Sequence, residues 1–171
     1  MVLPIYTGTD NELLRQVAKE VPQVTKKHQK LMKSMKETML EAHGLGLAAP
    51  QVGVSERILI ANFQYGEKVG DKCVIMALVN PEIIDHSDEE VMGEEGCLSL
   101  PEVFAPVKRY QEVTVKFLDE KGKEKFLQLS DLNARIVQHE IDHLEGKLFV
   151  DYLDEAVIGK YERELKEANQ F

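Results

Sequence analysis

The sequence predicts a single α+β domain, and three observations lead to this class. Apolar residues near the N-terminus recur at helical spacing, those in the middle alternate as in strands, and those near the C-terminus return to helical spacing. Helices before and after a block of strands are typical of α+β proteins, whereas parallel sheets come from alternating βαβ units. The length of 171 residues is that of one domain, and no repeat or linker divides residues 1–171.

Two helices are expected before the strands. The first covers Asp10–Val21, with Asp10 as its N-cap, and Pro22 ends it. The second covers Thr25–His43 and is expected to end at Gly44. Methionines recur along the second helix at spacings near three and four, which predicts core packing rather than a cofactor site. They are Met32, Met35 and Met39.

Short runs rich in Ile, Val and Leu follow these helices. Arg57–Asn62 and Lys72–Asn80 are expected to be strands. Val113–Leu118 alternates apolar and polar residues, residues 119–122 supply turn chemistry, and Lys125–Leu129 resumes the pattern. The last two runs therefore predict a β-hairpin.

Two more helices are expected near the C-terminus. One is capped by Ser130 or Asp131, runs to about Leu144 and ends at Gly146. A final amphipathic helix is marked by apolar residues at helical spacing. These residues are Val157, Tyr161 and Leu165.

Composition and charge exclude several classes of function. The formal net charge of −9 argues against bulk binding to nucleic acid or anionic membrane, because both partners are negative. No apolar stretch approaches the roughly 20 residues needed to span a bilayer. Met1–Thr9 lacks the pattern of a signal peptide. We therefore expect a cytoplasmic protein with no membrane association and no direct nucleic-acid specificity.

The strongest chemical signal is the segment His139–His143 in the third predicted helix, which reads His-Glu-Ile-Asp-His. Histidines four residues apart project from one helix face, so both can reach a single ion at about 2 Å. Glu140 lies on an adjoining side, where it can take a proton from a metal-bound water without binding the metal. This pattern predicts a metal-dependent hydrolase but names no substrate.

A catalytic site of this kind needs a third protein ligand. Glutamates downstream of His143 would suit a thermolysin-type peptidase, but they lie on a charge-alternating helix that is typical of solvent exposure. Cys97 is the better candidate, because a thiolate binds borderline metals well and Gly96 lets the backbone approach closely. A cysteine of the core is the alternative for Cys97, and a buried, inert thiol is expected for Cys73.

The loop Gly44–Gln51, which reads Gly-Leu-Gly-Leu-Ala-Ala-Pro-Gln, is rich in small residues. Small residues allow a backbone to lie close to an extended ligand, and Gln51 offers an amide donor. A tight turn from helix to strand is the alternative interpretation.

Together the three segments resemble the signature motifs of the peptide deformylase family, in the same order. They are Gly44–Gln51, Glu95–Pro101 and Gln138–Gly146, and the likeness extends over nearly the whole chain. The family removes the formyl group from the N-terminal formyl-methionine of nascent bacterial polypeptides. The expected substrates of this chain are therefore N-formyl-methionyl nascent peptides.

The resemblance implies one divalent metal ion held by Cys97, His139 and His143, with water as the fourth ligand. Fe²⁺ is the common native ion of the family, and Zn²⁺, Ni²⁺ or Co²⁺ can take its place. Glu140 is implied as general base. The Gln51 side-chain amide and the Leu98 backbone N–H are implied as donors to the oxygen that becomes negative during the reaction. The catalytic residues expected are therefore Glu140, Gln51 and Leu98.

Three residues are expected to bind the substrate. Gly46 matches the family position whose backbone pairs with the extended peptide. Leu132 and Ile136 precede His139 by seven and three residues, so they line the helix face that leads to the metal. We expect these two side chains to form the apolar pocket for the methionine side chain.

Two further features surround the motifs. Glu95 and Arg109 fit a buried ion pair that supports the site, with solvated surface charges as the alternative. Phe104 stands where many relatives carry an arginine, which bears on how residues beyond the methionine are held.

The expected fold is thus α+β, with antiparallel or mixed β-sheets around a central metal-binding helix, N-terminal helices and a C-terminal helix. We expect a monomer. The C-terminal helix docks on the ribosome in some relatives, but alternating charges favour a solvated helix here. A zinc peptidase of the His-Glu-x-x-His class and a non-catalytic homologue that binds nascent chains are the alternative functions.

Overall fold

The computed structural model describes residues 1–155, 159 and 163. Helices lie before and after a block of strands, so the α+β prediction is confirmed. In chain order the elements are α1 (Glu12–Arg15), α2 (Lys26–Glu41), β1 (Gly46–Ala48), β2 (Ile58–Gln64), β3 (Cys73–His86), β4 (Glu90–Cys97), β5 (Leu100–Tyr110), β6 (Glu112–Leu118), β7 (Glu124–Ser130) and α3 (Asp131–Leu144).

The strands form two antiparallel units. Five of them make a sheet in the order β1-β2-β3-β6-β7. Within the described part of the chain, the other two pair only with each other, and we call them the β4–β5 ribbon. Strand β4 of the ribbon ends at Cys97, so one predicted metal ligand lies on a different unit from α3.

Strand β2 shows how the sheet separates two layers of core. Ile58 and Ile60 pack in a cluster with methionines of α2. Leu59 and Phe63 belong to a second cluster, which includes the apolar face of α3. Successive side chains of a strand point to opposite faces, so this alternation places α2 and α3 on opposite sides of the sheet.

Helix α1 is shorter than the predicted Asp10–Val21, and its N-cap is Asn11 rather than Asp10. The Asn11 side chain accepts a hydrogen bond from Leu13 N at 3.0 Å. Beyond the helix, Ala18 N donates to Leu144 O at 2.8 Å. After α1 the backbone makes tertiary hydrogen bonds of this kind instead of helical ones. The helical spacing of apolar residues therefore extends beyond the end of the helix itself.

Helix α2 confirms the second prediction. Thr25 occupies the N-cap and the buried face carries the predicted methionines, of which Met35 and Met39 are fully buried. The helix ends at Glu41, and the left-handed residue that follows is His43, with φ of 56°, rather than Gly44.

The predicted strands are present, and β6 and β7 form the predicted hairpin. β3 continues to His86, past the expected end at Asn80. Asn80 takes a left-handed φ of 49°, and the pairing with β6 shifts register between Val79 and Glu82. A bulge therefore bends β3 at the Asn80-Pro81 step, which resembles a strand end in sequence.

The β4–β5 ribbon was not predicted as strands. Its inward face carries two buried charged residues, Glu95 and Arg109, beside its apolar ones. Charged residues at buried positions remove the apolar alternation by which strands are recognised in a sequence.

Helix α3 confirms the expected bounds, with Ser130 at the N-cap and Gly146 just past the C-terminus in a left-handed conformation (φ of 71°). The prediction for Cys73 was wrong. Its side chain is exposed, because it lies at the start of β3, paired with Gln64 at the outer end of the β2–β3 pair.

The predicted C-terminal helix, marked by Val157, Tyr161 and Leu165, lies outside the described residues. Among the residues that are described, none of the helices combines the length and apolar character that crossing a membrane would take.

Candidate active site and metal centre

Helix α3 brings both predicted histidine ligands and the predicted base into the interior. His139, Glu140 and His143 are buried, with at most 8% of each residue exposed. The spacing of four residues keeps the two imidazoles on neighbouring turns, and their ring centroids are 5.0 Å apart.

The end of β4 places Cys97 beside these histidines. Cys97 Sγ lies 3.3 Å from His143 Nε2, and the potential ligand atoms of Cys97, His139 and His143 all lie within 4.8 Å of one another. Among the described residues, this cluster contains no glutamate. The structure thus brings together the cysteine and the two histidines that the sequence suggested.

The chemistry of this cluster suits a divalent cation. Burial lowers the pKa of His143 well below its ordinary value, so its imidazole is neutral and offers a lone pair. Burial also acts to lower the pKa of His139, but hydrogen bonds to Cys97 and Glu95 outweigh it and raise that pKa well above the ordinary value. Cys97 and Glu95 therefore favour a positive charge at His139. A metal ion bound at this cluster would supply that charge in place of a proton.

Glu95 orients His139. His139 Nδ1 donates to Glu95 Oε1 at 2.8 Å, which leaves Nε2 free to bind a metal ion. Arg109 Nε and Nη2 both donate to the Glu95 carboxylate at 2.8 Å, so the predicted ion pair is present and buried. Burial acts to raise the pKa of Glu95, but Arg109 and His139 outweigh it and lower the pKa to about 2.

Three further residues extend this network, and the sequence reasoning missed all of them. Arg135 Nη1 donates to Glu95 Oε2 at 2.8 Å. Asp142 accepts from Arg109 Nη1 at 2.6 Å and from the hydroxyl of Tyr152 at 2.8 Å. One signal was available for Arg135, since it lies one helical turn before His139 on a face that is otherwise predicted to be buried.

Glu140 is buried beside β1, and one of its carboxylate oxygens, Oε2, has no hydrogen-bond partner among the described residues. Burial raises its pKa to about 7, partly opposed by the nearby charge of His139. A Cβ on Gly46 would overlap the Glu140 carboxylate and lie 2.7 Å from its Cγ. Glycine at position 46 therefore makes room for Glu140.

Gln51 lies in a 3₁₀ turn, Ala49–Val52, that follows β1 directly. Its Oε1 accepts from Ala48 N at 2.8 Å, while Nε2 donates to Ser99 Oγ at 3.1 Å and to Cys97 Sγ at 3.6 Å. The carboxamide is thus held with its donor end towards the cysteine. Leu98 follows Cys97 in the turn between the ribbon strands.

A cavity of about 570 Å³ opens onto this cluster, within the usual size of ligand pockets. Leu132 and Ile136 line it from α3, and Gly46 borders it from β1. Phe104 lies at its rim on β5 with 54% of the residue exposed. The three predicted substrate-binding residues therefore border the same cavity as Glu140, Cys97 and His139.

A model of the polypeptide deformylase family matches residues 2–157. The chain belongs to the polypeptide deformylase family.

Individual relatives agree with this assignment. The chain is 41% identical to the peptide deformylase of Bartonella tribocorum over 161 residues, 92% of this chain and 90% of the relative. It is 46% identical to that of Rickettsia typhi over 154 residues, 89% of this chain and 87% of the relative. The solved peptide deformylase of Legionella pneumophila has a TM-score of 0.89 at 40% identity and covers 99% of this chain and 96% of its own. That of Ehrlichia chaffeensis has a TM-score of 0.88 at 37% identity, with 98% and 99% covered.

Peptide deformylases remove the N-formyl group from nascent polypeptides in a metal-dependent hydrolysis, and this chain is an enzyme of that kind. It uses a single metal ion, for which the cluster of Cys97, His139 and His143 is available. The prediction from the three motifs is confirmed, and the alternatives of a zinc peptidase and a non-catalytic homologue are set aside.

Proposed function

We propose that Cys97, His139 and His143 hold the metal ion of the deformylase and that Glu140 moves the proton during hydrolysis. One observation carries this proposal. Glu140 Oε2 is buried without a protein partner among the described residues, in the cavity that also reaches Cys97 and His139. Buried polar atoms are normally hydrogen-bonded, so an oxygen left without a partner is available for water or substrate.

The donor set supports the metal role. One sulfur and two imidazole nitrogens leave a position open, as catalytic rather than structural sites do. When bound there, a divalent ion supplies activation of a water molecule and polarisation of the formyl oxygen. Glu95 helps by accepting from His139 Nδ1, which orients the ring and keeps Nε2 free.

Glu140 serves first as base and then as acid. It accepts the proton that the attacking water loses, and it returns this proton to the amine that leaves. The products are formate and a peptide whose N-terminal methionine carries a free amine. A pKa of about 7, raised by burial, suits a group that must both take and give a proton near neutral pH.

Gln51 and Leu98 stabilise the formyl oxygen as it gains negative charge. Gln51 Nε2 is held 3.6 Å from Cys97 Sγ, beside the ligand cluster. Its position is preorganised, because Ala48 N fixes the other end of the carboxamide. The backbone N–H of Leu98, adjacent to Cys97, is the second proposed donor.

The cavity accommodates the formyl-methionine residue. Leu132 and Ile136 supply the apolar wall for the thioether side chain, and the backbone of Gly46 pairs with the extended peptide. A related enzyme from Acinetobacter baumannii was solved with Met-Ala-Ser bound, a peptide that begins with methionine, as the product proposed here does.

We propose Fe²⁺ as the native ion, with Zn²⁺, Ni²⁺ and Co²⁺ as functional substitutes. A thiolate with two imidazoles binds each of these ions, so availability decides among them. Metal analysis of anaerobically prepared protein tests the assignment. The iron form should lose activity in air through oxidation at the metal and Cys97, and stable aerobic activity would contradict it.

We also propose a cytoplasmic monomer organised as one domain over residues 1–171, whose C-terminal helix is solvated rather than docked on the ribosome. Alternating charges from Lys160 to Glu167 support a solvated helix. Sedimentation of the protein alone tests the monomer, and sedimentation with ribosomes tests the absence of docking.

The decisive experiment measures formate release from formyl-Met-Ala-Ser by anaerobically prepared protein. In parallel, Glu140→Gln removes the base, and Glu90→Gln, an exposed residue at the start of β4, serves as control. We expect Glu140→Gln to lower kcat by about 10²–10⁴-fold without loss of metal, and the control to match the parent.

Two outcomes would contradict the proposal. Absence of formate release by the parent with each of the four metals would refute the function. Unchanged kcat in metal-loaded Glu140→Gln would refute the role of Glu140.

A further inference from the structure

The proposed metal ligands come from two separate units of the fold. Cys97 ends β4 of the ribbon, whereas His139 and His143 lie on α3. The ribbon does not pair with the five-stranded sheet. The distance from sulfur to the imidazoles therefore depends on what joins the ribbon to α3.

Arg135 makes this junction from the helix side. Its Nη1 donates to Glu95 Oε2 at 2.8 Å, to Val107 O at 2.7 Å and to Gly93 O at 3.3 Å. Its Nη2 donates to Val91 O at 2.8 Å. One buried guanidinium thus binds carbonyls of both ribbon strands and the carboxylate that orients His139.

The other hydrogen bonds between α3 and the ribbon either reach the backbone of β5 or join two side chains. Arg109 of β5 pairs with Asp142 at 2.6 Å, and Gln138 exchanges hydrogen bonds with the backbone of Tyr110 at 3.0 and 3.1 Å. In the described part of the chain, Arg135 is the only α3 residue that bonds to the backbone of β4, the strand that carries Cys97.

Gly93 shows how closely β4 lies on this guanidinium. A Cβ at position 93 would lie 2.7 Å from both Cζ and Nε of Arg135. Since 93 is not a position of positive φ, alanine suits its backbone, and the guanidinium would have to move instead.

We infer that Arg135 is a positioning residue that sets the placement of Cys97 against His139 and His143, and with it the metal affinity of the site. This inference rests on the proposed ligation by these three residues. The planar fork of arginine satisfies several acceptors at once, which lysine cannot do.

Cobalt binding provides a test that does not depend on turnover. Folded, metal-free protein is titrated with Co²⁺, and the thiolate-to-cobalt absorption band and the dissociation constant are recorded. We expect Arg135→Met to weaken binding about 10-fold or more and to diminish the band at saturation. Arg135→Lys should lose less, because it retains one charge-assisted hydrogen bond.

Arg57→Met is the matched control. Arg57, the residue before β2, also bonds to the end of α3, through Glu145 at 2.6 Å, and it has no hydrogen bond to the ribbon among the described residues. We expect this variant to change thermal stability while the cobalt band and affinity match the parent. A purely structural role of Arg135 would give the same result as this control.

Gly93→Ala keeps the test valid if Arg135→Met does not fold. The added methyl displaces the guanidinium but leaves the arginine in the chain, so we expect several-fold weaker cobalt binding. Met92→Ala, at an exposed neighbouring position, should be without effect.

The outcomes separate this inference from the proposed function. Folded Arg135 or Gly93 variants that bind Co²⁺ within twofold of the parent, with the same band, would overturn the positioning role alone. If the parent itself shows no thiolate-to-cobalt band, the proposed ligation fails and the inference fails with it.

Discussion

At the scale of single residues, Glu140 and Gly46 account for each other. Glu140 is buried and has a pKa of about 7, and its carboxylate occupies the space where a side chain at position 46 would lie. A glycine expected to pair with substrate through its backbone thus has a second reason to lack a side chain. The close contact between Gly46 and Glu140 thus couples the Gly44–Gln51 loop to the proposed base.

Gly46→Ala tests this contact. The added methyl must displace the Glu140 carboxylate, and a shift of about 1 Å in a catalytic group costs about 100-fold in rate. We therefore expect kcat for formyl-Met-Ala-Ser to fall about 100-fold, with metal content unchanged. A kcat within twofold of the parent would show that Glu140 does not need this space.

Gln51→Glu tests the proposed oxyanion donor. The substitution keeps an oxygen to accept from Ala48 N but replaces the amide that faces the developing charge. We expect kcat to fall by at least about 10²–10³-fold. Ser99→Ala, which removes the hydroxyl that accepts from Gln51 Nε2 but leaves the donor in place, should cost less than tenfold. Equal losses in the two variants would contradict the assignment.

At the scale of elements, polar side chains join units that the apolar core does not. Arg15 at the end of α1 binds Asp151 in the 3₁₀ turn Phe149–Tyr152 through two hydrogen bonds, of 2.7 and 3.1 Å. Burial acts to raise the pKa of Asp151, but Arg15 and Leu148 N outweigh it and lower the pKa below its ordinary value. The pair links the N-terminal region to the segment after α3.

Asp151→Asn should lower the free energy of unfolding by roughly 0.5–1 kcal/mol near neutral pH, as expected for a partly exposed ion pair. Because the folded pKa is lowered, this contribution is present above about pH 4 and is lost as the pH falls through the folded value. Urea unfolding from pH 7 to pH 2 measures it. A difference between parent and variant that grows on acidification would contradict the sign.

At the scale of the whole molecule, the proposed ligand cluster joins the β4–β5 ribbon to α3. A metal bound by Cys97 and both histidines binds the folded state alone, so it stabilises the arrangement of the two units.

Removal of the metal should therefore lower Tm. Saturation at about 100 times Kd corresponds to about 2.7 kcal/mol, or a Tm difference of roughly 5–10 °C for a chain of this length. Calorimetry with and without Zn²⁺ measures it, and Cys97→Ser should diminish the difference. An identical Tm for the metal-free and metal-loaded parent would argue against a site shared by the two units.

Much of the fold was predictable because periodicity records burial. The methionines of α2, the β6–β7 hairpin and the bounds of α3 follow from apolar spacing and capping residues. The β4–β5 ribbon could not be predicted from spacing, since Glu95 and Arg109 occupy buried positions where the spacing rule expects apolar side chains. The prediction that the Cys73 thiol is buried was wrong for a related reason, because an apolar run does not show where a strand leaves the core.

The sequence by itself determined where the two proposed histidine ligands and the proposed base lie on one helix, because a helix turns a spacing of four residues into a shared face. It also suggested Cys97 and Gln51 through local motifs. Only the tertiary structure decided that Cys97 meets the histidines and that Arg135 joins their two units. Those contacts connect residues about 40 positions apart, and their geometry depends on how the ribbon packs on α3.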